Sequence, residues 1–231
     1  MPHAAAGPRK TSRSATARTS RPASTTAIRR SGSRREGHSA LNAVIMAAGT
    51  GTRLRPLTDD RPKGMVEVGG IPIVERQIRN FLEAGVNEIV IVTGHKAESF
   101  APLAAKYGRL AFLHNPHYEA YNNIYSMYLA RAYLGESYVS EADVLMHRNY
   151  LLPRPETSVL FGGYRRGFAK EWILRFDEAG RVRRVDVMGG EGIILAGLSY
   201  WTAPDARVVR ARLEALVEAG GFENLFWDDV Y

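Results

Sequence analysis

From Asn42 onward, short apolar runs that stop at a glycine or an asparagine alternate with segments carrying one apolar stripe. "NAVIMAAG" is apolar at successive positions, as a strand covered on both faces requires. "VNEIVIVTG" and "RLAFLHN" repeat the pattern, and "SYVSEADVLM" is a fourth strand running into a loop. Between the first two lies "IPIVERQIRNFLEAG", with Pro72 placed for the first helical turn and Gly85 for the position just past the last. Its Val74, Ile78, Phe81 and Leu82 fall on one stripe. "KAESFAPLAAKYG" is a weaker helix, broken or bent near Pro102, and "NIYSMYLARAYL" is a third. This βαβαβαβ order predicts an α/β fold, a mainly parallel sheet flanked by helices.

From Thr157 the pattern changes to four shorter β segments, "TSVLFGGYRR", "EWILRFD", "RVRRVDVMG" and "GIILAGLSYW", with the turn "DEAG" between the second and third. A helix follows from Pro204 to Ala219, with Val209, Leu213, Leu216 and Val217 on one face. Ligands of parallel α/β sheets bind beyond the carboxyl ends of the strands. The turn after Ala48, Thr93–Lys96, Asn115–Asn123 and Glu141–Asp143 all occupy such ends, so they should converge on one cleft.

Charge separates the chain's beginning from the rest. Residues 1–40 carry nine Lys/Arg against Glu36 alone, so the whole-chain net charge of +7 leaves −1 for residues 41–231. The first segment is Ser/Thr/Ala/Arg-rich with almost no large apolar side chain, and such a composition predicts disorder. It suits a cationic arm, a targeting segment or an overhang without function. The overhang is the preferred reading, with translation starting at Leu41 as one form of it. A basic tail beside a balanced domain argues against a nucleic-acid partner for the fold itself. With no cysteine, thiolate catalysis and Cys-ligated metal centres are excluded. The longest apolar run, Ile193 to Trp201, is too short and glycine-broken to span a bilayer. The chain reads as soluble and cytoplasmic, without a membrane partner; a homodimer is left open.

"MAAGTGTRLRPLTDDRPKGM", Met46 to Met65, sets backbone amides and cations close together, which suits a polyphosphate. A P-loop would need Gly-Lys-Ser/Thr here, and none follows Gly49. A dinucleotide fingerprint would need a third glycine where Leu54 stands. What remains is a strand, then A-A-G-x-G-x-R-L, then P-L-T, then R-P-K. This resembles the nucleotidyltransferases that join a nucleoside triphosphate to a phosphorylated acceptor. The resemblance implies a Rossmann-like fold with a β-rich, substrate-binding second half. It also implies that Ala47, Ala48 and Gly49 approach the base and sugar while Gly51 and Thr52 wrap the triphosphate. Arg53 and Lys63 would contact phosphates, and Gly94 and Ser126 would complete the nucleotide site.

"NPHYEAYNNIYSMYLARAYL", "SYVSEADVL", "KEWILRFDEAGRV", "GIILAGLSYW" and "FWDD", in this order, are similar to the bacterial CTP:phosphocholine cytidylyltransferases. Relatives of that family act on 2-aminoethylphosphonate and other small phosphonates. The likeness covers Leu41 to Tyr231, a domain over 41–231, although members usually run further past the late "WD" aspartate, so the domain looks truncated. It implies CMP transfer from CTP to phosphocholine with release of pyrophosphate, and a Mg²⁺ cofactor on Asp143 and Asp228. Asp229 is the neighbouring substitute, and Glu141 departs from the family's aspartate. Lys63, Arg53, Asp143 and Asp228 make up the implied catalytic set.

A quaternary ammonium is held by aromatic faces. The candidates for that pocket are Tyr121, Trp172, Tyr200, Trp201 and Trp227, with Asn123 beside them and Glu171 as a counter-charge. Each aromatic, taken singly, fits a core as well as a cage. Asn122 and Asn123 fit a helix cap as well as a ligand contact. Arg165 and Arg166 suit either an acceptor phosphate or an edge strand. The rival functions are a 2-aminoethylphosphonate or phosphoethanolamine cytidylyltransferase and, in another class, an inactive nucleotide binder.

Overall fold

The computed structural model describes residues 40–230, and the expectations for the basic tail and start site fall outside them. Four parallel strands, β1 (Asn42–Ala47), β4 (Glu88–Thr93), β5 (Leu110–His114) and β6 (Ser137–Glu141), form one side of a six-stranded sheet. Two long strands, β7 (Val159–Phe176) and β8 (Val182–Trp201), complete it in the order β5-β4-β1-β6-β8-β7. β8 runs antiparallel to both β6 and β7, so the sheet is mixed but mainly parallel, as expected. A two-residue hairpin, β2 (Glu67–Val68) and β3 (Ile71–Pro72), stands apart.

Both faces of the central strands are apolar because both are covered. Ala43, Ile45 and Ala47 of β1, with Ile89 and Ile91 of β4, pack against α1 (Ile73–Glu83) and α2 (Ala101–Lys106) through Val74, Ile78, Phe81 and Leu103. The alternate residues, Val44, Met46, Val90 and Val92, meet α3 (Asn123–Ala130) and α4 (Ala203–Ala219) through Ile124, Met127, Val209 and Leu213. A two-residue period thus splits one apolar run between two cores.

Three expectations change in detail. Pro72 sits just before α1, which begins at Ile73, and Gly85 follows the helix in the left-handed region, φ +82°. Pro102 starts α2 after a 3₁₀ turn rather than bending one longer helix. The four short β segments are two long strands. Their glycines are not breaks but bulges and close approaches: the register slips between Arg165 and Phe168, around Gly167 at φ +62°. A Cβ on Gly189 would lie 2.6 Å from the Ala169 carbonyl oxygen. Glycine inside a strand commonly has these causes. The strands bend enough that Ile173 lies opposite both Asp186 and Ile194. No helix among the described residues is long and apolar enough to cross a membrane.

α1 and α2 are tied by one buried carboxylate. Glu75 accepts hydrogen bonds from Arg79, from Lys106 (2.7 Å) and from the Tyr107 hydroxyl (2.9 Å). Burial alone would raise its carboxyl, but the hydrogen bonds from Lys106, Arg79 and Tyr107 outweigh it and hold the group at about 2. A carboxylate with a lowered folded-state value adds stability above its unfolded value and loses it as pH falls through the folded one. Glu75→Gln should therefore cost about 2 kcal/mol at neutral pH. In urea titrations that deficit should shrink as pH falls from 4.5 to about 2.

Candidate active site

Met46 near the end of β1 and Ala48 just past it face the cleft, and the chain then turns at Gly51, whose φ of +70° is the left-handed region glycine allows. Thr58 Oγ1 donates to the Gly51 carbonyl at 2.9 Å, closing the loop behind a 3₁₀ turn, Thr52–Leu54. Lys63 opens a second 3₁₀ turn behind Pro62. The two turns touch: a Cβ on Gly51 would sit 2.6 Å from Lys63 Cγ. Gly64 lies close to the residue just past β6, where an added Cβ would be 3.1 Å from that of Ala142. This close approach carries Lys63 to the end of β6, and its Nζ donates to Asp143 Oδ2 at 2.8 Å.

The turn bearing Asp143 is held from beneath. Gln77, wholly buried on α1, donates through Nε2 to the carbonyls of Glu141 (2.9 Å) and Val144 (2.8 Å). Asn122 caps α3, its side chain accepting from the Asn123 amide at 2.8 Å. Asn123 Nδ2 donates to Glu141 Oε1 at 3.0 Å, and its Oδ1 accepts from the Trp227 amide at 2.9 Å. That second bond fixes the last 3₁₀ turn, Trp227–Val230, with Asp228 on the cleft. Asp229 does not share the position, because its Oδ2 accepts from the Phe226 amide at 2.8 Å.

These pieces enclose a cleft of about 590 Å³. Of the residues expected in the nucleotide site, Ala48, Gly49, Gly51, Thr52, Arg53 and Ser126 line it. Lys63, Asp143 and Asp228 line it too, as do Tyr121, Asn123 and Trp172. Six expected residues do not line it. Ala47 points away from Met46 and Ala48 into the α1-side core. Gly94 serves packing, since a Cβ there would meet Tyr118 Cβ at 2.6 Å and the Ala48 carbonyl at 2.7 Å. Glu171 pairs with Arg165 at 2.5 Å outside the cleft. Tyr200 is buried against Tyr138, and Trp201 donates from Nε1 to Ser199 Oγ at 2.9 Å. Trp227 packs edge-on to Trp201, 6.1 Å between ring centres. Tyr200 and Trp201 are core because β8 lies between two strands, and Trp227 joins them by packing into the same cluster as Trp201.

The aromatic wall that does face the cleft comprises Tyr118, Tyr121, Trp172 and Phe226. Trp172 of β7 and Phe226 meet edge to face at 5.6 Å and 74°. Sequence reasoning brought the segment 115–123 to the cleft without singling out Asn115 or Tyr118, and it missed Phe226. Asn115 is buried, and its Nδ2 donates to Ser126 Oγ at 2.9 Å.

Charge gathers at the base of the cleft. Burial pushes the Glu141 carboxyl up to about 7; Lys63 opposes the rise, whereas the charges of Asp228 and Asp143 add to it. Among the described residues no group of three or more His, Cys, Asp and Glu side chains is arranged to hold a metal ion. Two hard carboxylates beside a phosphate-sized cleft nevertheless fit Mg²⁺, which keeps several waters and takes few protein ligands.

Comparison with known proteins places this cleft in a class. The sequence model of the nucleotidyl transferase family matches residues 42–150. A choline-phosphate cytidylyltransferase of Streptococcus pneumoniae is 39% identical over 191 residues, covering 82% of each chain. A 2-aminoethylphosphonate cytidylyltransferase of Lancefieldella rimae is 37% identical over 192 residues, covering 82% of this chain and 78% of its own. The solved structure of the S. pneumoniae CTP:phosphocholine cytidylyltransferase superposes with a TM-score of 0.80 at 38% identity, covering 83% of each chain. The chain belongs to the nucleotidyl transferase family, with these choline-phosphate and 2-aminoethylphosphonate cytidylyltransferases, and is an enzyme of the nucleotidyltransferase class.

Gln77→Leu keeps the side chain's bulk but removes the donor from the Val144 carbonyl and one of two donors from the Glu141 carbonyl, which also accepts from Ser140 Oγ at 3.2 Å. Urea denaturation should show a loss of about 1–3 kcal/mol, the cost of one acceptor left without its partner.

Proposed function

We propose that this enzyme transfers CMP from CTP to phosphocholine, giving CDP-choline and pyrophosphate. The observation that carries the reading is the Lys63–Asp143 contact of 2.8 Å on the same cleft as the glycine turn, Asp228 and the Trp172–Phe226 pair. The glycine turn leaves backbone amides free to approach phosphate oxygens, and Arg53 and Lys63 bring positive charge to them. The acceptor's phosphate is already anionic, so its oxygen attacks the α-phosphorus without a general base as the bond to pyrophosphate breaks. Lys63 offsets the charge that gathers on the departing diphosphate. Asp143 and Asp228 would hold Mg²⁺, which when bound supplies charge neutralisation on the triphosphate. The remaining work is alignment of two anions in line, with no covalent intermediate.

The acceptor's quaternary ammonium is assigned to the faces of Trp172 and Phe226, with Tyr121 beside them. A ring face attracts a cation without asking it for a hydrogen bond, which a trimethylammonium cannot give. A second acceptor, 2-aminoethylphosphonate, stands nearly level: identity to the L. rimae enzyme is 37%, against 39% to the choline-phosphate enzyme of S. pneumoniae.

Pyrophosphate release with phosphocholine, phosphoethanolamine and 2-aminoethylphosphonate separates the two. Phosphocholine should give a kcat/KM at least about tenfold above the others, the difference one well-made pocket contact supports. A phosphonate preference of that size would overturn the choline assignment. Lys63→Ala and Asp143→Ala should each lower kcat at least about a hundredfold, as loss of a transition-state contact does. Near-normal turnover in either variant would refute the catalytic assignment. Trp172→Ala should raise the acceptor KM about tenfold or more while leaving the KM for CTP unchanged, since a desolvated cation–π contact is worth that much.

A further inference from the structure

We infer that Asn123 is a positioning residue that sets Asp228 against the Asp143 turn, through hydrogen bonds made at both ends of its side-chain amide. The inference rests on the proposed catalytic roles of Asp143 and Asp228 and names what aligns them. The two aspartates lie 85 residues apart in sequence, on elements that share no backbone hydrogen bond. Asn123 touches both carriers: it donates to Glu141 Oε1, two residues before Asp143, and accepts from the amide of Trp227, one residue before Asp228.

The chain around Asn123 is built to support that span. The backbone amide of Asn122 donates to the Glu223 carbonyl at 2.7 Å, and its Nδ2 donates to the Asn224 carbonyl at 3.3 Å. The segment before Asp228 is therefore docked on the N-cap of α3 by one main-chain and one side-chain hydrogen bond. Asn123 then sets the final residue step through Trp227. On the other side, Gln77 fixes the carbonyls of Glu141 and Val144 from α1. Glu141 is thus held by its backbone from beneath and by its carboxylate from above. A side chain with one donor and one acceptor in a fixed plane is what this bridge demands. Serine would not reach both partners, and Asp could not donate. Groups that orient metal-binding or charge-stabilising side chains commonly change affinity or rate about 10- to 100-fold when removed.

The test uses the full chain and four variants: Asn123→Ala, Asn123→Asp, Asp228→Ala and the Asn123→Ala/Asp228→Ala double. Asn123→Ala should lower kcat about 10- to 100-fold and raise the Mg²⁺ concentration for half-maximal turnover by a similar factor. The KM for CTP should stay within about threefold, because uniform nucleotide binding is untouched. Amide hydrogen exchange, read without turnover, should quicken at Trp227 by about tenfold or more as its acceptor is lost. Asn123→Asp, of the same size, retains that acceptor; Trp227 should stay slow while kcat still falls, so the inference remains testable even where the alanine variant folds poorly. The double variant should be no slower than Asp228→Ala alone, since both act through one group.

Several results would overturn the inference. One is an unchanged Mg²⁺ requirement and kcat in Asn123→Ala while Asp228→Ala is inactive. Another is a double variant slowed by the product of the two single effects, which would make Asn123 an independent substrate contact. Normal turnover in Asp228→Ala would instead remove the proposed site itself, and this inference with it.

Discussion

A lysine and an aspartate 80 residues apart meet at 2.8 Å, and the site depends on that contact. It exists because two turns lacking side-chain bulk let the backbone come close. Gly51 admits Lys63 Cγ, and Gly64 admits Ala142, just past β6. The ammonium then lies where carboxylates from two later segments gather, and its charge restrains the Glu141 carboxyl from rising further. Without the cation, three acids at one strand end would repel one another in a partly buried place.

The sheet supplies the second requirement. β1 sits between β4 and β6, in register from Asn42 opposite Glu88 and Ser137. Its end is thus level with theirs, so the loops they carry open on one side. Two cores, one per face, lock this register, because a slip of one residue would exchange the two apolar sets. The candidate site sits on the edge of this doubly covered sheet and is built from turns that the sheet and α1 hold.

Most of the architecture could be read from the residues. The alternation of apolar runs and stripes named the parallel strands and helices, because local period and tertiary burial agree there. That the glycine turn, Arg53 and Lys63 face the cleft was legible for a similar reason: they lie close together in one short stretch after β1. The second half resisted. Glycines at 167, 189, 190 and 192 look like strand ends, but they bend or thin two long strands, and no local pattern separates those cases. The aromatic wall was misread on the same ground. Tyr200, Trp201 and Trp227 are as large and apolar as Trp172 and Phe226, and only the sheet order and the packing of Trp227 on Trp201 decide which rings are covered. Ala47 and Gly94 lie in the right segments but on the wrong side of them. The Asn123 bridge could not be foreseen at all, since its two partners are 86 residues apart in sequence.

The long bulged pair of β7 and β8 leaves the parallel half through a single neighbour, β6, and brings Trp172 back over the cleft. The glycine turn and the Lys63 and Asp143 turns are anchored elsewhere, on β1, α1 and the end of β6. On the proposed function, one part of the acceptor pocket, Trp172, is thus carried by a strand pair distinct from the turns assigned to the triphosphate. Such an arm can drift in shape or composition, and so come to favour a different head group, while the machinery for activating it stays as it is.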